Sequence, residues 1–175
     1  MVRHLLLSVA AMSLLCAPAL CANPNYPDLS ITPGKARGDI SVQQLCSTNW
    51  GANERSVSPA MRRDVLAEYH LRGDTDPLCR SDGSKKCKID HLIAPKLGGA
   101  DVEVNLWPQL SGGTWGASAK EKLEDCMHSR VCAKLADQGP EAATQLLHLY
   151  QHDLVSDWIA AFQNVIGEPA EACSG

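Results

Sequence analysis

The stretch from Lys88 to Gln109, "KIDHLIAPKLGGADVEVNLWPQ", decides how the chain is read. With Cys87 added, "CKIDHLI" has the content of a short strand, Gly98 and Gly99 mark a turn, and "VEVNLW" reads as a second strand. Strand, turn and strand predict a hairpin. After the glycine-rich "SGGTWGA", Ser118 and Glu121 have the S-x-x-E spacing of a capping box, so a helix is expected from there to about Ala136. The hairpin thus leads straight into a helix, with His91 ending its first strand and Asn105 on its second.

On the N-terminal side, "VSPAMRRDVLAEYHLRG" places Ser58 as N-cap and Pro59 at the first helical position. Met61, Val65, Leu66 and Tyr69 recur at helical spacing, and Gly73 is the expected stop. On the C-terminal side, Pro140 opens and Gly167 closes a second long helical stretch, "PEAATQLLHLYQHDLVSDWIAAFQNVIG". Before Gly38, "NPNYPDLSITPGKARG" is rich in proline and glycine without a sustained period, which predicts an extended arm over the surface. The expected organisation is a signal peptide over 1–22, an arm over 23–56, one domain over 57–167 and a tail over 168–175. The tail is tied down only if Cys173 is bridged. The fold class is α+β, a hairpin and helix packed with additional helices.

Arg3 and His4 followed by an apolar run from Leu5 to Leu15 and small residues around Ala22 make a secretory signal. That run is too short for a membrane span of about 20 apolar residues, so no membrane attachment is expected after cleavage, and the product is periplasmic or secreted. About 150 residues remain, the size of one domain. Cleavage removes Arg3 and no acid, taking the formal charge from −4 to −5. A globally acidic chain argues against a tight nucleic-acid binder, because phosphate contacts need Lys and Arg. Six cysteines remain, Cys46, Cys79, Cys87, Cys126, Cys132 and Cys173, and in an exported protein they read as up to three disulfides. "CRSDGSKKC" invites a local Cys79–Cys87 bridge, and the absence of any C-x-x-C pair disfavours a zinc ribbon.

Asp90, His91 and Asn105 supply the residue types that phosphodiester hydrolysis needs. A neutral imidazole, with an unperturbed pKa of about 6.5, suits a base that deprotonates water. A carboxylate suits a hard divalent ion that neutralises charge on the phosphate and the leaving oxygen. Neighbouring strand residues point to opposite faces, so Asp90 and His91 can serve one phosphate only where the strand bends into the following loop.

"IDHLIAPKLGG", then "NLWPQ", then "AKEKLEDCMHSRVC" resembles the HNH endonuclease superfamily, with its ββα-metal fold, and in particular small exported bacterial HNH-type proteins. The flanking "LSITPGKARGDISVQQLC", "VSPAMRRDVLAEYHL" and "QHDLVSDWIAAF" follow that pattern in the same order, so the resemblance runs from about Leu29 to Phe162. It implies that His91 is the general base, that Asp90 is a metal ligand in place of the more frequent first His, and that Asn105 holds the loop and orients His91. Gly98 and Gly99 would shape the crossing between the strands. No histidine follows Asn105 where the last HNH histidine often stands, so the second ligand has to come from elsewhere.

The following helix offers substitutes. At 100 degrees per residue Glu121, Glu124 and His128 fall within an arc of about 60 degrees, with Ala119, Leu123, Cys126 and Met127 opposite. Glu124 is the first choice as ligand and His128, one turn further, the alternative. The resemblance implies one divalent metal ion, Mg2+ first, with Mn2+, Ni2+ or Zn2+ as alternatives. Arg80, Lys85, Lys86, Lys88 and Lys96 against Asp82 and Asp90 give a local charge of +3 beside the site. Lys85, Lys86, Lys88 and Lys96 are therefore the expected nucleic-acid contacts, joined by Lys120 of the helix, which contacts phosphate or faces water; binding is weak and independent of sequence, with Trp107 and Trp115 as candidate stacking surfaces. The expected function is an exported, monomeric, metal-dependent HNH-type endonuclease acting on DNA, with RNA as a further substrate. The alternative is a catalytically silent, disulfide-stabilised binding or structural domain on the same scaffold. An effector neutralised by an immunity-type partner protein is a third possibility.

Overall fold

Ser58 and Pro59 start the first sizeable helix as their spacing predicts. The Ser58 hydroxyl accepts from the Met61 amide at 3.1 Å and satisfies one of the helix's orphan donors. The computed structural model describes residues 25–47, 57–72, 87–167 and 173. Within them the order is α1 (Val42–Ser47), α2 (Pro59–Glu68), β1 (Cys87–His91), β2 (Leu106–Leu110) and α3 (Ala117–Ile166). α2 stops short of Gly73 because His70 adopts a left-handed conformation, φ 56°, and Leu71 closes the end by donating to the Leu66 carbonyl at 2.8 Å. The signal segment, Lys85, Lys86 and Cys79 lie outside the described residues, and so does most of the tail.

β1 and β2 pair antiparallel in a two-stranded sheet, Cys87 opposite Leu110 and His91 opposite Leu106. The class is α+β. The second strand is not where the sequence predicts it, however. Val102 to Asn105 form a bend and a 3-10 turn, and the strand is "LWPQL". Two backbone groups that a longer ladder would pair are instead taken by the Asn105 side chain, described below. Pro108 is tolerated because a two-stranded sheet consists only of edges.

α3 begins at Ala117, with Gly116 as N-cap, so the expected capping box is not used; Ser118 lies inside the first turn. The helix breaks at Gly139, φ 83°, immediately before Pro140, where the sequence places the end of one helix and the start of the next. A further break at Asp157 was not expected. Its carboxylate accepts from the amides of Ile159 and Ala160, so it acts as a cap inside what reads as one periodic stretch. Leu123, Met127 and Val131 from the first segment share one core with Leu147, Leu154 and Trp158 from beyond the break, together with Val42 and Leu45 of α1 and Ile93 and Leu97 of the loop.

The arm is more than surface cover. α1 lies within it, and Cys46 is joined to Cys132 of α3, while Cys126 is joined to Cys173 and ties down the end of the chain. Cross-linking across 86 residues restricts the unfolded chain by about 4 kcal/mol on the loop-entropy view. Cys87 is also disulfide-bonded. The arm's residues 32–37 run along the loop between the strands. Gly34 donates to Val104, Arg37 to Gly98, and Ala100 back to Lys35. Thr32, fully buried, donates to the Leu106 carbonyl at 2.8 Å and shares a hydrogen bond with the Tyr69 hydroxyl, joining arm, β2 and α2.

Candidate functional site

The loop 92–105 is built around Asn105, whose side chain is fully buried. Its Oδ1 accepts from the amides of Ile93 at 3.0 Å and Lys35 at 3.2 Å, and its Nδ2 donates to the carbonyls of Ile93 and Ala100, both at 2.9 Å. One amide therefore closes the start of the loop, its end and the arm at once. Gly98 sits at φ 78° and ends the 3-10 turn Pro95–Leu97. At Gly99 the constraint is steric, because a Cβ there would fall on the Ile93 carbonyl oxygen, the same atom that accepts from Asn105.

His91 is the last residue of β1 and is 3% exposed. Its Nε2 lies 2.6 Å from Oδ1 of Asp101, and its backbone carbonyl accepts from the Lys120 ammonium at 2.6 Å. No described residue bonds its Nδ1. Burial holds the imidazole below its usual pKa, against the pull of Asp101 and the charge of Asp90, with Lys120 adding to the depression.

Asp90 is buried, with the Lys88 ammonium 3.8 Å away. In strand register it faces Trp107, so it belongs to the opposite face of the hairpin from His91; yet its charge acts on both His91 and Glu124. Lys120 links the strand end to α3, donating to the His91 carbonyl and pairing with Glu124. Glu124 is buried and bonded to Lys120 one turn earlier on α3. Burial pushes the Glu124 carboxyl above its ordinary range; Lys120 pulls it down and Asp90 pushes it further up. Each acid has an ammonium near it: Lys88 beside Asp90 and the fully buried Lys120 on Glu124, with Lys96 also lowering Glu124.

The other expected residues go elsewhere. Glu121 is exposed, so the polar arc of the helix is split: Lys120 and Glu124 turn inward and Glu121 outward. His128 packs at the α1–α3 contact, with Nε2 3.3 Å from the Leu45 carbonyl and 3.6 Å from the Cys132 sulfur. The ligand atoms of Cys46, His128 and Cys132 lie within 4.8 Å of one another, but the two sulfurs are bonded to each other. Lys96 is paired with Asp125, and Lys120 is fully buried and does not reach solvent. Lys88 keeps about a third of its side chain exposed. Trp107 is buried, and Trp115 packs edge-on against Trp158 and Phe162, so neither ring is laid out as a stacking platform. Asp101 was not singled out in the sequence. The only signal for it is an acid directly after "GGA", and its distance from His91 along the chain hides their contact. No protein-family model, curated protein or solved structure matches this chain.

Proposed function

We propose that this chain is an exported, metal-dependent endonuclease of the HNH type, built on a ββα-metal core and hydrolysing phosphodiester bonds of DNA. The observation that carries the reading is a buried histidine at the end of β1, its Nδ1 without a described partner, with the buried Asp90 beside it in sequence and the buried Glu124 tied to the same strand end through Lys120. The donor set fits a hard divalent cation, since carboxylate oxygens are its preferred ligands; Lys120 pairs with Glu124, and Lys88 stands 3.8 Å from Asp90. Asp90 and Glu124 would hold the ion, which when bound would neutralise charge on the scissile phosphate and the leaving oxygen.

His91 accepts a proton from water at Nδ1, and burial favours the neutral ring that this step requires. Asn105 keeps the loop, and with it the direction of the strand end that carries His91. Lys88 meets the substrate backbone from the rim, which fits weak and salt-sensitive binding. Export is supported by the leader sequence and by disulfides that suit an oxidising compartment.

One observation favours a second reading, a catalytically silent scaffold: Glu124 is already engaged by Lys120. A plasmid-nicking assay on the oxidised mature protein across Mg2+, Mn2+, Ni2+ and Zn2+, with and without a chelator, separates the two. Chelator-sensitive nicking supports the nuclease. Metal or DNA binding without turnover under every condition supports the scaffold.

A further inference from the structure

We propose that Asp101 is the positioning residue of His91: its carboxylate accepts a hydrogen bond from the Nε2–H, fixes the ring plane and leaves the Nδ1 lone pair free of a proton. The catalytic use of this contact rests on the nuclease reading above; the tautomer does not.

The chemistry follows from the donor inventory. An ionised carboxylate only accepts hydrogen bonds, so at 2.6 Å from Asp101 Oδ1 the Nε2 of a neutral ring must carry the hydrogen. Neutral imidazole has one protonated nitrogen, so Nδ1 becomes the acceptor, and no described residue occupies it.

The backbone explains why Asp101 arrives at that place. Ala100, the residue before it, is fixed through both of its polar groups: its amide donates to Lys35 at 2.9 Å, and its carbonyl accepts from Asn105 at 2.9 Å. Gly99 in turn donates to Ala94 at 2.9 Å. The arm, the loop and Asn105 thus aim one carboxylate at one ring nitrogen, while Lys120 fixes the His91 carbonyl from the other side. The ring is held at Nε2 and the backbone at the oxygen, which leaves little freedom to the remaining nitrogen. An ordering contact of this kind is worth about 10–100-fold in activity when an orienting partner of a site residue is removed.

The test uses the oxidised full chain, labelled with 15N, and reads the ring 1H–15N correlations of His91 near pH 8, where the imidazole is neutral, alongside kcat and KM. In the wild type the expected signal is a protonated Nε2 with a strongly downfield hydrogen. Asp101→Asn should lose that downfield position and lower kcat about 10–100-fold at unchanged KM and Tm, and Asp101→Glu should recover part of both. Should Asp101→Asn fold poorly, Asp101→Ser is read by the same two signatures. A proton on Nδ1 in the wild type, or an Nε2 hydrogen unmoved by Asp101→Asn, overturns the proposal. If the ring signals behave as expected while the wild type cleaves nothing, the nuclease reading fails and the Asp101–His91 relationship stands.

Discussion

The ammonium of Lys120 donates to the backbone carbonyl of His91 at 2.6 Å and to the Glu124 carboxylate, with no part of its side chain exposed. This one cation fastens the first segment of α3 to the end of β1. A buried ammonium is tolerated only when paired and hydrogen-bonded, and Lys120 meets both conditions. Its removal should therefore be felt as a stability change rather than a weakening of DNA binding. Lys120→Met leaves Glu124 buried without its partner and should cost about 3–5 kcal/mol in urea unfolding. Lys120→Met with Glu124→Leu should recover much of that loss, because no uncompensated charge is left. If Lys120→Met unfolds like the wild type while the salt dependence of DNA binding flattens, Lys120 contacts phosphate and the present placement is mistaken.

Asn105→Ala removes four hydrogen bonds from one fully buried amide and orphans the amide of Ile93 inside the protein. A loss of at least about 2 kcal/mol is expected. Cleavage should fall further than the change in folded fraction explains, since the loop sets the direction of His91. Activity measured well below the midpoint of thermal unfolding separates the two effects.

The two glycines should respond differently. Gly99→Ala drives a methyl group into the Ile93 carbonyl, which is held by Asn105 and cannot retreat without breaking that bond. Gly98→Ala meets the Gln151 side-chain nitrogen at 3.2 Å and carries the milder cost of a left-handed backbone. Thermal melts should show the larger drop for Gly99→Ala. The reverse order would mean that steric closure at Gly99 does not shape the loop.

The depressed pKa of His91 sets a pH window. Because burial keeps the folded-state value below the unfolded one of about 6.5, the stability from the neutral ring is complete above that pH. It is lost as pH falls through the folded-state value. Cleavage should follow the same direction, with an acidic limb below the ordinary histidine range, and a cation bound nearby would push it the same way. Unfolding at several pH values for the wild type and His91→Gln checks the first statement, and the pH profile of the rate checks the second. A limb above about 6.5 would show that another group controls the rate.

Local signals in the sequence carried most of the secondary structure. Ser58-Pro59 and Gly139-Pro140 act through their own backbone and show in a linear reading. The loop roles of Gly98, Gly99 and Asn105 came instead from the family resemblance, since the residues alone read as ordinary turn residues. Failures came where a distant partner replaced a local rule. Asn105 satisfies backbone groups of Ile93 and Ala100, so Val102 to Asn105 need no ladder and do not form the predicted strand. The arm looked like surface cover because proline and glycine lack a period, yet its amide and carbonyl groups pair with the loop. Helical periodicity put Glu121 and Glu124 on one face but could not say that Lys120, at the edge of that arc, turns inward to the His91 carbonyl. His128 shows the same limit: the spacing allowed a ligand, and α1 drew it to the Leu45 carbonyl instead.

The central claim, that His91 is the base of a hydrolytic site, is tested most directly by the initial rate of plasmid cleavage by His91→Ala relative to the wild type. Both are measured as oxidised, folded protein at saturating Mg2+. The expected result is a loss of about 100-fold or more, the usual size of a general-base contribution. Equal rates in the two proteins would contradict it.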